Sequence, residues 1–220
     1  MLGPLLDLLL PRECAACLIP GSHLCVTCSG DLWAVAPEWV QPQIVARPDS
    51  RGIGRAVVRA HKERGQHALV EMLGALVSDA TTHLLNGAGH WPPTTPVVLV
   101  PVPTRRRAYG RRGFNPAASV AAAAVNDLTP HTRAVVRHLV TLVRQPGDQR
   151  GLGASDRVVN IAGTMRCRRS APASLIVVVD DVITTGATLN EVMRALVAND
   201  ATPLGAVAAV ATPLARPSAQ

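Results

Sequence analysis

The chain has 220 residues, 48% apolar and only 2% aromatic, with a formal net charge of +7 carried by arginine, since Lys62 is its one lysine. That length holds one α/β core and a small appendage, and that apolar share excludes wholesale disorder. With so few aromatics the core must be Val, Leu, Ala and Ile, which suits a buried parallel sheet under helices. The basic balance points to phosphate-bearing ligands, either nucleotides or nucleic acid.

The apolar run Leu5–Leu10 is short, contains Asp7 and lacks a basic flank, so it does not read as a signal peptide. No run approaches the roughly 20 apolar residues of a spanning helix. The expectation is a cytoplasmic protein without membrane insertion, where paired thiols hold metal more often than they form disulfides. Cys14-x2-Cys17-x7-Cys25-x2-Cys28 supplies two chelating pairs, the arrangement of tetrahedral structural zinc. Four thiolates leave no open position for catalysis. His23 in the intervening loop is the alternative ligand, and redox chemistry is the alternative use. Cys167 stands alone among arginines.

Residues 1–45 therefore read as a four-cysteine, zinc-ribbon-like module, 46–216 as the main domain and 217–220 as a tail. Pro37, Pro42 and Pro48 punctuate a linker or extended stretch. From Gly54 to about Leu85 the apolar spacing predicts helix, broken near Gly65. Asn86–Pro96 reads as a loop and Val97–Val102 as a strand buried on both faces. An Arg-rich loop over Arg105–Gly113 follows, then a helix over Pro116–Val125. Val135–Val143 is predicted as a strand and Gln145–Asp156 as a loop. The clearest strand, Leu175–Asp180, leads through a Thr-rich turn into a helix over Thr188–Ala198, and Ala206–Ala211 is a further strand. Strand, helix and strand in this order give a parallel sheet.

The most informative segment is Val177–Thr188. A buried strand delivers Asp180 and Asp181 to its C-terminal end, where ligands bind in open α/β sheets. The turn that follows carries Thr184, Thr185 and Thr188 around Gly186 and Ala187 and opens a helix, whose first N–H groups favour an anion. Carboxylates accept hydrogen bonds only, so beside a phosphate they suit sugar hydroxyls or a metal. A phosphate at one end and a diol at the other is the shape of a ribose 5-phosphate. A Walker A loop is excluded by the lack of a lysine here, and the dinucleotide G-x-G-x-x-G fingerprint is missing too.

Asp-Asp-x-x-Thr-Thr-Gly-x-Thr resembles the phosphoribosyl pyrophosphate (PRPP) motif of type I phosphoribosyltransferases. Pro101-Val102-Pro103, then Arg105–Arg107 and Arg111-Arg112-Gly113-Phe114-Asn115, are similar to the competence-associated ComF family in particular. Gln149, Leu152, Arg157 and Asn160 match its further pattern, and with the cysteines the resemblance spans nearly the whole chain. It implies a type I phosphoribosyltransferase-like fold, a central parallel sheet flanked by helices. It implies that Asp180 and Asp181 hold the ribose hydroxyls, that Thr184, Thr185, Gly186, Ala187 and Thr188 wrap the 5-phosphate, and that Pro101, Val102 and Pro103 form a pyrophosphate loop. Magnesium is expected with PRPP, touching Asp180 or Asp181 through water. Arg112, then Arg111, would stabilise the departing pyrophosphate from a mobile loop.

Two classes of function remain open. One is an enzyme transferring ribose 5-phosphate from PRPP, or another phosphoribosyl compound, to an acceptor that the sequence does not identify. The other is a sensing or binding module of DNA uptake. Its partners would be single-stranded DNA or the helicase-like and recombination-mediator competence proteins that the resemblance implies. Few aromatics are on hand for base stacking, so DNA contacts would rest on arginine and phosphate. Lys62 and Arg64 read as solvated surface.

Overall fold

The computed structural model describes residues 12–90, 93–128, 132–144, 160–168 and 174–212. The leucine run at 5–10, the loop expected at 145–156 with Gln149 and Leu152, Arg157, and the 217–220 tail lie outside the described residues. The elements run α1 (Val26–Trp33), β1 (Glu38–Gln41), β2 (Ile44–Pro48), α2 (Ile53–Glu63), a 3-10 turn (His67–Leu69) and α3 (Val70–Gly87). β3 (Val97–Pro101), α4 (Arg106–Arg112), α5 (Pro116–Leu128), β4 (Ala134–Val136), β5 (Val140–Leu142) and β6 (Met165–Cys167) follow. The last are β7 (Leu175–Ile183), α6 (Ala187–Val197) and β8 (Pro203–Ala211).

Six strands form one sheet in the order β1-β2-β8-β7-β3-β4, parallel except for the edge strand β1. β3 and β7 are buried aliphatic runs, as two-sided burial demands. On one face Val177, Val179 and Val207 pack with α2, α3 and α5; on the other Ile176, Val178 and Ala206 pack with α6 and the β5–β6 pair. α3 and α5 approach so closely that a Cβ at Gly74 would run into Ala123. The 21 residues His67–Gly87 have the length and apolarity of a membrane span (mean hydropathy 1.2), yet Leu73, Leu76, Leu84 and Leu85 are spent on this core.

Several expectations are corrected by packing. The extended stretch around Pro42 is β1 and β2 of the main sheet, so a division at 45/46 falls within a strand. The basic segment 105–113 is a helix, α4, with no buried residue. The strand expected over Val135–Val143 is two strands in different sheets: β4 extends the main sheet, and β5 pairs with β6. β7 runs three residues beyond Asp180 because β8 continues beside it to Ile183.

The topology decides where a site can lie. β3 leads through α5 to β4 on one side, whereas its neighbour β7 leads through α6 to β8 on the other. The strand order therefore reverses between β3 and β7, and the crevice beyond their C-terminal ends is where open α/β sheets bind ligands.

Candidate functional site at the ends of strands three and seven

Both motif segments meet at that reversal. Val102, just past β3, donates its N–H to the Val179 carbonyl of β7 at 2.9 Å, which sets Pro101-Val102-Pro103 beside the aspartates. Asn115 fixes this end from behind: its amide N–H group donates to the Val102 carbonyl (3.0 Å) while its Oδ1 accepts from the Thr104 hydroxyl (2.9 Å) and the Ala118 N–H (3.4 Å). Asn115 followed by Pro116 is also a favourable helix start, asparagine at the cap and proline at the first helical position.

Asp180 is half-buried, and its Oδ1 accepts the Asp181 N–H at 2.9 Å. Loss of water and the adjoining Asp181 carboxylate push its carboxyl up to about 8, against the pull of the Lys62 ammonium. Asp181 is 1% exposed; its Oδ1 lies 2.6 Å from Lys62 Nζ, and its Oδ2 has no partner. Lys62 is thus no solvated surface cation, since α2 carries it into the sheet end to neutralise a buried carboxylate. Arg64 is likewise engaged, donating to the Ala15 carbonyl at 3.0 Å.

The Thr184–Thr188 turn crosses into α6 through Gly186, whose φ of 74° is strained for any residue with a Cβ. Ala187 N–H reaches Thr185 Oγ1 at 3.4 Å. Gln41, from the antiparallel edge strand, lies across this turn and donates to the Thr185 carbonyl at 3.0 Å; a Cβ on Gly186 would strike its amide. Beside Thr184 a cavity of about 320 Å³ opens between Trp39, Gln41, Asp49 and Thr212. Asp49 is not a free acid there, because its two oxygens accept the Gly54 and Arg55 N–H groups at the start of α2.

Arg111 is exposed on α4, while Arg112 is half-buried. Arg112 lines a different cavity from Thr184, in the company of His61, His67 and Phe114. The sequence signals missed Lys62, Gln41 and His61. A cue did exist for the first: in a chain that otherwise uses arginine throughout, one lysine marks a place for a compact ammonium.

At the N-terminal end the sulfurs of Cys14, Cys17, Cys25 and Cys28 lie within 4.8 Å of one another, the one such group of three or more potential ligand residues among the described residues. Cys14 and Cys28 are buried, and Cys17 faces out. Burial opposes a thiolate at Cys14, yet N–H donors from Cys17, Cys25 and Ala16 outweigh it and hold the thiol at about 6. Convergent sulfurs, one of them eased towards thiolate, form a donor set that fits a tetrahedral zinc ion.

No protein-family model matches the chain. Competence protein F of Haemophilus influenzae is 33% identical to it over 105 residues. Over that stretch the chain is similar to Competence protein F. The match covers 46% of this chain and 44% of that protein, so the chain aligns with less than half of its relative.

Proposed function

We propose that the chain binds a phosphoribosyl compound, PRPP foremost, at the C-terminal ends of β3 and β7, and that it serves in a competence-related role like the one its relative is named for. The observation that carries this is the meeting of Asp180, Asp181 and the Thr184–Thr188 turn with Pro101-Val102-Pro103 at the strand-order reversal. In this reading the free N–H groups of the turn and the first turn of α6 receive the 5-phosphate. Asp180 and the unpartnered Oδ2 of Asp181 receive the ribose hydroxyls. Lys62 holds Asp181 in place without reaching the sugar itself. Gln41 orients the turn by holding the Thr185 carbonyl.

The carboxylates fit magnesium through water better than directly, since one Asp181 oxygen is already taken by Lys62. Bound with PRPP, the ion would neutralise diphosphate charge. Arg111, exposed on α4, would add guanidinium charge as pyrophosphate departs, whereas Arg112 lines a second cavity. If turnover occurs, positioning and this charge stabilisation carry it.

Isothermal titration with Mg-PRPP and with ribose 5-phosphate tests the proposal. Binding is expected, with a loss of about tenfold or more in Asp180→Ala, which removes both oxygens offered to the ribose hydroxyls. A Thr184→Val/Thr185→Val variant serves as a second probe that leaves the buried ion pair intact. Wild-type affinity in both would overturn the assignment. Pyrophosphate release across a panel of bases then separates transfer from binding alone.

A further inference from the structure

The second cavity, about 360 Å³, is lined by His61, next to Lys62 on α2, and by His67, Val70, Arg112, Gly113, Phe114 and Ser119. These residues come from α2, the 3-10 turn, α3, the end of α4 and the start of α5. His61 is 1% exposed, and neither ring nitrogen has a partner in hydrogen-bonding geometry. Burial holds its imidazole below the ordinary range, although the Asp181 charge and the Gln66 backbone favour the cation. Arg112 Nε is also buried and without a partner, and the guanidinium has no ion pair among the described residues.

Two buried donors left open together are uncommon, because an unpaired buried polar group is costly. Among the described residues, nothing acidic lines the cavity to satisfy them. Asp181, the carboxylate whose charge reaches His61, is neutralised by Lys62. Three rings wall the space, with the Phe114 centroid 5.2 Å from each of His61 and His67, and dry walls strengthen the attraction of a guanidinium for an anion. The Ser119 hydroxyl is committed to the Asn115 carbonyl at 3.2 Å, so it serves as wall and not as donor.

We propose that this cavity binds a small oxyanion, a phosphoryl or carboxylate group. The Arg112 guanidinium and a ring N–H of neutral His61 would hold it, with His67 at the rim, separately from the Thr184–Thr188 turn. The proposal does not depend on PRPP binding at that turn. An oxyanion is the class that fits, because Arg112 Nε and one ring N–H of His61 are open donors and the guanidinium is permanently charged.

The test uses the full metal-loaded chain and follows the imidazole ring protons of His61 and His67 by NMR, assigned with His67→Gln. Inorganic phosphate, acetate and pyrophosphate are titrated separately. Saturable shifts of both rings are expected with phosphate or with acetate, the responding ion identifying the class. Arg112→Gln should weaken that response about tenfold or more. Thr184→Val/Thr185→Val should leave it unchanged. Ring signals that stay still, or that move equally in Arg112→Gln, would mean the cavity holds water alone. Shifts abolished by the double threonine variant would place the anion at the turn. A response to pyrophosphate only would make the cavity part of a leaving-group site. Each of these three outcomes overturns the proposal. Because the assay reads imidazoles and not PRPP affinity, its failure leaves the ribose proposal standing, and the reverse holds too.

Discussion

The acidic end of β7 and the His61 cavity are joined through one helix, since α2 carries both Lys62 and His61, yet they are built by opposite means. At the strand end, contiguous residues supply acceptors on a rigid β-strand and donors on a turn that follows at once. In the cavity, donors arrive from α2 and from the end of α4, some fifty residues later in the chain, and nothing local completes them. A site made from consecutive residues keeps its geometry when helices shift slightly. One assembled from several helices depends on how those helices pack. Lys62 is where the first depends on the second, because its backbone belongs to the helix that also carries His61.

Breaking that joint should have the largest effect. Lys62→Met strands the Asp181 carboxylate at 1% exposure and is expected to cost about 3 kcal/mol or more, the range for a buried charge deprived of its partner. Adding Asp181→Asn should recover much of the loss in a urea melt. A single variant as stable as wild type would show that the pair couples nothing.

Gly186→Ala comes next. The left-handed φ of 74° and the collision with Gln41 should together cost about 1–3 kcal/mol and weaken ribose 5-phosphate binding. Gln41→Ala in the same background should relieve the collision but not the backbone strain. Full rescue would mean that the glycine serves only to make room.

A third test is a pH dependence, read as a slope and not as a loss at one pH. Asp180 holds its proton more tightly in the folded chain, at about 8 against an ordinary 3.8. Its favourable contribution is complete below the unfolded value and is lost as pH rises through about 8. Asp180→Asn should therefore gain stability on wild type between roughly pH 4 and 8, then run parallel above that. A constant difference across the range, in thermal melts at fixed ionic strength, would remove the proton from Asp180.

What could be read in the sequence follows the same division. β3, β7, the Thr-rich turn and the four cysteines are contiguous signals, and each lies where residue order and spacing put it. α4 is hidden in the sequence because Arg106–Arg112 has no apolar stripe. Its helical form rests on arginine and alanine as good helix formers and on Gly113 as its C-cap, whose N–H donates to the Tyr109 carbonyl at 2.7 Å. The burial of Lys62 was invisible because its partner lies 119 residues away. The split of 135–143 was equally hidden, since Val136 and Val140 look alike in composition and only their pairing partners separate them.

Arg47 sits in β2 at 2% exposure, with its guanidinium donating to the Leu32 and Trp33 carbonyls at the end of α1 and pairing with Asp79 of α3. α1 itself begins at the last cysteine pair, capped by Cys25. Unwinding that short helix would leave a cation facing vacated carbonyl positions beneath the sheet. Arg47 therefore ties α1, which starts at the sulfur cluster, to β2 of the main sheet.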